Sequence, residues 1–349
     1  MTTMNRRSFL KTATFAALGA GVVGLGLPTF AAAGGKLSQA SVMAWQGTSI
    51  TVGPDSGSLR TMTAAYCDQE HPGKFMSQHW ARSGTCSWNA LARVRRVAEN
   101  APSFVQIDWR NDRSSTSFLP LTREAWIRRT RALVPDANIV MTVWPWVEEG
   151  KIADLPAESL AYIELCEYYG VPVLDVHTAI RGLIAKGHDL TEYYNWPYDG
   201  THPLTTGHLV AWEMLKEQID DILFGKRQYD GNLPGRMTNC QEYEHGTETY
   251  IEGTGYVSLS GDWAQSAPGI YSNQPGATVS YMFTGCSVGV EWSYAEFYPP
   301  QYVDYRIDGG AWLLNQPMSG NGHRVADYGP HTIEMRVRTE LAIDHFLAV

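Results

Sequence analysis

The chain has 349 residues, and at about 150 residues per domain this length predicts two domains. The composition is 44% hydrophobic and 18% charged, with 33 glycines, which is typical of a globular protein rich in loops and strands and unlike a disordered or fibrous one. The formal net charge of -9 argues against nucleic acid and other polyanions as partners, and it favours neutral or weakly charged substrates.

The first 33 residues have the pattern of an export signal. Arg6 and Arg7 precede a Phe-Leu-Lys sequence and then an uncharged stretch that ends in three alanines. This order resembles the twin-arginine type of signal, with small residues suited to a signal peptidase. A retained membrane anchor is the alternative, but the glycines and Pro28 argue against a lasting transmembrane helix. We therefore predict removal of residues 1–33 and export to the periplasm or the medium, with no stable membrane span.

The five cysteines, at positions 67, 86, 166, 240 and 286, have no CxxC spacing. The sequence therefore predicts neither a zinc site nor a redox motif. An oxidising compartment permits one disulfide, for which Cys67 and Cys86 are the first candidates, and the odd number leaves at least one thiol unpaired.

Between residues 41 and 224, short apolar runs alternate with amphipathic stretches. The predicted strands are 42–45, 74–81, 103–109, 138–144 and 171–177, and the predicted helices are 87–100, 121–134, 156–170 and about 204–222. This alternation predicts an α/β fold with a doubly wound, parallel five-stranded sheet. Because such sheets bind ligands outside the carboxyl ends of their strands, we expect the chemistry at that edge.

The helical periodicity of the sequence ends after residue 224. Residues 225–237 are rich in Gly, Pro and charge and predict a linker. From 238 to 349, alternating segments separated by turn residues predict an all-β sandwich resembling a jelly roll, with a hairpin turn at 308–310. The acidic run 242–252 is interpreted as a solvated strand face. The expected organisation is thus an α/β domain over 34–224, a linker, and a β-sandwich domain over 238–349.

Polar residues follow several predicted strands. Ser49 comes after the first strand, Gly84 after the second and Asn111 after the third, while Asp199 and His202 form a DxxH sequence before the last helix. A lone serine after a strand is usually a helix cap, and each of the other sequences also occurs in ordinary loops. Their order along the chain, each at a strand end or helix entry, favours a catalytic site.

In order and spacing these blocks resemble the SGNH, or GDSL, hydrolase superfamily over residues 41–224. The resemblance implies that Ser49 is the nucleophile, that His202 is the general base and that Asp199 orients it. It also implies an oxyanion hole made by the backbone amides of Ser49 and Gly84 and the side chain of Asn111. A serine hydroxyl becomes an effective nucleophile when an imidazole removes its proton, and the oxyanion that forms needs convergent donors.

Two positions depart from the pattern of that superfamily. Thr48 replaces the aspartate of the usual GDS sequence, and because that residue supports the turn, we expect the nucleophile to remain functional. Trp109 stands where a glycine is usual, and we expect its ring to reshape the pocket or to stack against substrate. Asp175, His177 and His208 are weaker candidates for the triad and are interpreted as structural or pocket-lining residues.

Aromatic residues cluster near the expected site. The candidate substrate-lining residues are Trp109, Trp144, Trp146 and Trp196. Although most tryptophans belong to a core, rings on loops often form platforms for ligands with apolar faces, including sugars.

In the spacing of its predicted strands and turns, the second domain resembles the jelly-roll modules that accompany bacterial carbohydrate esterases. Together the resemblances imply an exported esterase that removes acetyl groups from an acylated carbohydrate through an acyl-enzyme, without a metal or organic cofactor. A lipid esterase, lysophospholipase or thioesterase, an acyltransferase, and an inactive glycan-binding protein remain the alternatives. The oligomeric state stays open.

Overall fold

A computed structural model describes residues 41–53, 56–83, 85–109, 119–224, 231–245, 247–250, 257–266, 269–291, 301–318 and 323–349. The expected export signal lies outside these residues, as does the first part of the expected linker. Over the described ranges, no helix is long and apolar enough to cross a membrane.

The first domain is built on five parallel strands. In chain order its strands are β1 (Ser41–Trp45), β2 (Phe75–His79), β3 (Pro102–Asp108), β4 (Asn138–Val143), the short hairpin pair β5 (Val147–Glu148) and β6 (Lys151–Ile152), and β7 (Val173–Asp175). The sheet order is β2-β1-β3-β4-β7, and every pairing in it is parallel. Strand β4 is buried along its whole length, as a central strand covered on both faces must be. The expected doubly wound α/β fold is confirmed.

Helices cover both faces of this sheet. They are α1 (Ser49–Val52), α2 (Leu59–Glu70), α3 (Ser87–Ala98), α4 (Leu119–Leu133), α5 (Ala157–Tyr169), α6 (Val176–Ala185), α7 (Thr205–Lys216) and α8 (Ile219–Phe224). The expected helix over 204–222 is two helices, α7 and α8. The expected strand over 171–177 is too long, because Asp175 caps α6: its carboxylate accepts hydrogen bonds from the Thr178 N–H at 2.9 Å and hydroxyl at 2.7 Å.

Alternate residues of the strands supply two separate core clusters. One cluster contains Ala44, Val105 and Ile107, and the other contains Met43, Trp45 and Phe104. Because successive strand residues point to opposite faces, the clusters lie on opposite sides of the sheet. Cys86 belongs to the first cluster and Cys67 to the second. The candidate disulfide between them is therefore wrong, and none of the five cysteines, all within the described ranges, forms one.

The second domain consists of antiparallel strands. They are β8 (Thr247–Tyr250), β9 (Val257–Ser260), β10 (Ala264–Ser266), β11 (Gly269–Ser272), β12 (Thr278–Glu291), β13 (Gln301–Ile307), β14 (Leu313–Met318), β15 (His323–Val337), β16 (Leu341–Ile343) and β17 (His345–Ala348). The larger sheet has the order β14-β13-β15-β12-β17-β8, with β9 on β12, and the smaller has the order β10-β11-β16. Both sheets contribute to one core cluster, for example through Ile343 and Ile333. The expected all-β domain is confirmed.

The expected hairpin turn joins β13 to β14. Asp308 and Gly309 have φ values of 51° and 69°, and the Gly310 N–H donates to the Ile307 carbonyl at 2.9 Å. Two consecutive residues with positive φ match the twist of antiparallel strands, and Asp-Gly is a favoured pair for this purpose.

The second domain packs directly on the first. The Trp88 indole N–H on α3 donates to Ser287 Oγ on β12 at 2.7 Å. On α4, the Glu124 carboxylate accepts hydrogen bonds from the backbone amides of Met237 and Thr238, both at 2.7 Å. The end of the expected linker is therefore fixed to the α/β domain.

The acidic run 242–252 begins at the same junction. Glu244 forms salt bridges at 2.9 Å with Arg128 on α4 and with Arg236. Its carboxylate thus joins the junction to the first domain, which corrects the interpretation of this part of the run as a solvated strand face. Residues 246, 251 and 252 lie outside the described ranges.

Candidate active site

Ser49 begins α1 directly after β1, at the carboxyl edge of the sheet. Thr48 is the N-cap of this helix, and its hydroxyl accepts a hydrogen bond from the Ile50 N–H at 3.3 Å. Thr48, and not Ser49, therefore caps this helix. At the first helical position, the backbone amide of Ser49 has no intrahelical partner and is suited to receive an anion.

Three of the expected residues come together at this edge. Ser49 Oγ lies 2.8 Å from His202 Nε2, and His202 Nδ1 lies 2.8 Å from Asp199 Oδ2. The other carboxylate oxygen of Asp199 accepts hydrogen bonds from the backbone N–H groups of Thr201 at 2.8 Å and His202 at 3.0 Å. One oxygen thus holds the loop while the other orients the imidazole, which is the arrangement that removes a proton from serine.

The charge of Asp199 follows from these contacts. Partial burial raises the pKa of its carboxyl, but the hydrogen bonds from the His202 and Thr201 amides and from the His202 ring outweigh burial, so the pKa lies below its ordinary value. The carboxylate can therefore stabilise an imidazolium at His202. The two side chains are 49% and 37% exposed for His202 and Asp199, so this pair is open to solvent rather than at the bottom of a deep cavity.

His208 is a buried structural residue. It is 1% exposed, its ring packs edge-on against Trp144 at 5.1 Å, and its Nδ1 accepts a hydrogen bond from the Leu59 N–H at 3.4 Å. Burial first, and the charge of His202 second, lower the pKa of His208 to about 4. The neutral ring joins α7 to the start of α2, as the structural interpretation expects.

Three of the four candidate aromatic residues belong to the core. Trp109, Trp144 and Trp146 are 2%, 2% and 5% exposed, and Trp109 makes edge-on contacts with Trp126 at 5.6 Å and Tyr162 at 5.5 Å. These rings offer almost no surface to a ligand, which corrects the expectation that they line the substrate. Trp109 instead fills space beside helices α4 and α5.

Trp196 is placed differently, between the β5–β6 hairpin and the loop that carries Asp199. A Cβ atom added to Gly150 would lie 3.1 Å from its indole nitrogen, and one added to Gly200 would lie 3.2 Å from its six-membered ring. The half-buried ring therefore packs tightly against both backbones. Its neighbour Tyr198 is 88% exposed and is an aromatic residue of this loop that a ligand can reach.

Gly84 and Asn111, expected in the oxyanion hole, lie outside the described residues. On either side of position 84, the Arg82 N–H donates to the Gly47 carbonyl at 3.0 Å, and Thr85 Oγ1 lies 3.0 Å from the same oxygen. These contacts attach the segment after β2 to the turn before Ser49. The oxyanion roles stay predictions.

Sequence reasoning missed Asp108, the last residue of β3. Its side chain is 1% exposed and accepts hydrogen bonds from the Thr48 hydroxyl at 2.7 Å, the Thr48 N–H at 3.1 Å and the Thr51 hydroxyl. The available signal was a carboxylate at the end of a buried strand, three residues before Asn111. No group of three or more potential metal ligands occurs in the described part of the chain.

Comparison with known proteins places the fold. No protein-family model matches the chain, and no curated protein matches it. A solved two-domain esterase active on acetylated mannans, CEX, matches with a TM-score of 0.70 at 16% identity, over 89% of this chain and 91% of that one. The same esterase co-crystallised with mannopentaose gives an equal TM-score over 89% and 90%. The esterase EstA from Pseudoalteromonas matches 52% of this chain and 98% of its own, at 14% identity and a TM-score of 0.40.

The chain therefore has the fold of a two-domain esterase, with an α/β domain followed by an all-β domain. The expected doubly wound parallel sheet followed by an all-β domain is the architecture that this likeness shows. Both domains take part in the match, since it covers most of each chain.

Proposed function

We propose that this chain is a serine esterase of the SGNH type. The observation that carries the proposal is the continuous hydrogen-bonded series from Ser49 through His202 to Asp199, with both contacts at 2.8 Å. It lies at the carboxyl edge of a parallel sheet, where ligands of this fold class bind. A bare binding module needs no such series, because nothing in binding requires an activated hydroxyl.

The reaction proceeds through an acyl-enzyme. Ser49 Oγ attacks the ester carbonyl while His202 Nε2 takes the hydroxyl proton, and the imidazolium is stabilised by Asp199. The intermediate expels the alkoxide, which receives the proton from His202. Water then attacks the acyl-enzyme with His202 again as base, releasing the carboxylic acid and restoring Ser49.

The negative oxygen of the tetrahedral intermediate needs preorganised donors. The Ser49 amide at the start of α1 is one of them, and the proposal assigns the others to the Gly84 amide and the Asn111 side chain. Loss of one such donor typically raises the barrier by about 2.7 to 4 kcal/mol.

The proposed substrate is an acetylated polysaccharide or oligosaccharide. The exposure of His202 and Asp199 supports it, because an open site admits an acyl group carried on a large polymer. The exposed ring of Tyr198 stands beside Asp199 in the sequence and can stack on a sugar. A further support is the likeness, over both domains, to an esterase active on acetylated mannans. Export by a twin-arginine signal belongs to the same proposal.

Acetate release from a panel of acetylated polysaccharides tests this function. The wild-type protein should release acetate from at least one of them, and Ser49→Ala should release none while keeping its melting temperature. A matched control is Ser103→Ala at the amino end of β3, whose hydroxyl bonds, among the described residues, to the Val42 carbonyl alone, at 3.5 Å. It should retain full activity. Equal acetate release by Ser49→Ala and the wild type would remove Ser49 from the mechanism.

A series of aryl esters tests the acyl specificity. An acetylesterase should lose activity steeply as the acyl chain lengthens beyond a few carbons. Activity that rises with chain length, together with no acetate release from polysaccharides, would support a lipid esterase or thioesterase instead.

A further inference from the structure

We propose that Asp108 is the positioning residue of the nucleophile, holding the turn that carries Ser49 from the neighbouring strand β3. This inference rests on the proposed esterase function and deepens it. Asp108 is 60 residues from Thr48 in the sequence, so the contact is a product of the fold and not of local turn chemistry.

Both carboxylate oxygens of Asp108 are used on this turn. Oδ1 accepts the Thr48 hydroxyl at 2.7 Å, while Oδ2 accepts the Thr48 N–H at 3.1 Å and the Thr51 hydroxyl. Thr48 precedes Ser49 and Thr51 follows it by two positions. The carboxylate therefore holds the chain on both sides of the serine, without contacting its hydroxyl in the described structure.

Gly47 shows how closely the carboxylate approaches the backbone. This glycine has a φ of 139°, a conformation that other residues rarely adopt, and a Cβ atom placed there would lie 2.3 Å from Asp108 Oδ2. Only glycine leaves room for the side chain of Asp108 at this position.

The short helix needs this support. Helix α1 has four residues, too few to be stable by its own hydrogen bonds. Thr48 transmits the support, because the hydroxyl that donates to Asp108 also accepts the Ile50 N–H at 3.3 Å. Hydrogen bonds between Asp108 and Thr48 and between Thr48 and α1 thus set the position of Ser49 Oγ, 2.8 Å from His202 Nε2.

The same geometry explains why residue 48 is a threonine. A hydroxyl can donate to the Asp108 carboxylate, whereas an aspartate at position 48 would place a second carboxylate against it. Thr48 and Asp108 are therefore a matched pair, in which the acidic group lies on β3 and the hydroxyl lies before the nucleophile.

The pair Thr51→Val and Thr51→Ser gives the first test. Valine removes one hydrogen bond to Asp108 without changing the size of the side chain, while serine keeps the hydroxyl. We expect kcat for an aryl acetate to fall about tenfold in Thr51→Val, with KM unchanged, and to stay near the wild-type value in Thr51→Ser, because small misplacements of a reacting group cost rate rather than binding. The control is Thr63→Val, a buried threonine on α2. Within the described part of the chain its hydroxyl bonds to the Leu59 carbonyl alone, so this variant should keep its kcat.

Asp108→Asn should lower kcat about 100-fold and slow labelling by a fluorophosphonate in proportion, again with KM unchanged. Wild-type kcat in folded Asp108→Asn and Thr51→Val would overturn the inference. If Asp108→Asn does not fold, the comparison of Thr51→Val with Thr51→Ser decides. A wild-type protein that neither hydrolyses the ester nor reacts with the fluorophosphonate would overturn the proposed function itself, which separates the two failures.

An exchange of the two side chains is the sharpest test of the matched pair. Thr48→Asp alone places two carboxylates in contact and should lose most of the kcat. The double variant Thr48→Asp, Asp108→Thr restores one carboxylate and one hydroxyl, and we expect at least a tenfold higher kcat than in Thr48→Asp. Strictly additive losses in the double variant would contradict the coupling.

Discussion

Replacing Asp199 by asparagine should disable the site while leaving the loop intact. Asp199 Oδ1 accepts two backbone N–H groups, at 2.8 and 3.0 Å. An asparagine must turn its carbonyl oxygen toward these donors, because its amide group cannot accept them. Its NH2 group then faces His202 Nδ1, where the wild type has a carboxylate oxygen at 2.8 Å.

That orientation forces the wrong tautomer on the histidine. With a donor facing Nδ1, His202 must carry its proton on Nε2, and Nε2 can no longer take a proton from Ser49. The same substitution in a triad of this type lowers kcat by about 10⁴, which corresponds to about 5.5 kcal/mol in the barrier. The melting temperature should change little, since the turn keeps both backbone hydrogen bonds.

The assay is the kcat for an aryl acetate at neutral pH, measured with thermal unfolding of the same samples. A matched control is Asp189→Asn, since the Asp189 carboxylate accepts the Thr191 N–H at 2.8 Å in a similar turn at the start of a short helix and has no part in the triad. It should keep its activity. If Asp199→Asn retains more than a tenth of the wild-type kcat, the carboxylate does not set the tautomer of His202, and the reasoning is refuted.

Three further predictions concern the surroundings of the site. Trp196→Ala should lower the free energy of unfolding by about 2 kcal/mol and also reduce kcat, because the ring packs on the loop of Asp199. Urea unfolding and kinetics on an aryl acetate check both. Unchanged values would show that the ring does not support this loop. Gly47→Ala should abolish fluorophosphonate labelling, since its Cβ atom would displace Asp108, and normal labelling would argue against this close approach. The pKa of His208 is lowered to about 4 from 6.5, so its folded state favours the neutral ring and the stabilisation present above pH 6.5 should fall as the pH approaches 4, by about 3 kcal/mol. The pH dependence of urea unfolding should therefore be weaker in His208→Gln. An equal pH dependence in this variant and the wild type would show that His208 does not cause the loss of stability at low pH.

The α/β fold was predictable from sequence because the mostly apolar strands β3 and β4 alternate with helical stretches, of which α3 has the clearest amphipathic spacing. The start of helix α6 was not predictable, since the helix follows β7 without a turn. Only the hydrogen bonds that Thr178 donates to the Asp175 carboxylate show where the helix begins. Local patterns indicate the type of an element better than its boundary when one element follows another without a turn.

The proximity of Ser49 to Asp199 and His202 was expected from the order of these residues along the chain and from the position of Ser49 after β1. The residues that surround this site were not predictable. Burial of Trp109 among Trp126 and Tyr162 depends on how α4 and α5 pack, and sequence alone does not distinguish such a ring from one on a loop. The contact of Asp108 with Thr48 joins residues far apart in the chain, so no local spacing reveals it.

The most direct test of the central claim is to locate a covalent adduct. The protein is treated with a fluorophosphonate, digested, and analysed by mass spectrometry, with Ser49→Ala and His202→Ala treated in parallel. We expect one phosphonylated serine in the wild type, Ser49, with no adduct in Ser49→Ala and strongly reduced labelling in His202→Ala. An unlabelled wild-type protein, or an adduct on another residue that persists in Ser49→Ala, would contradict the assignment of Ser49 as an activated nucleophile.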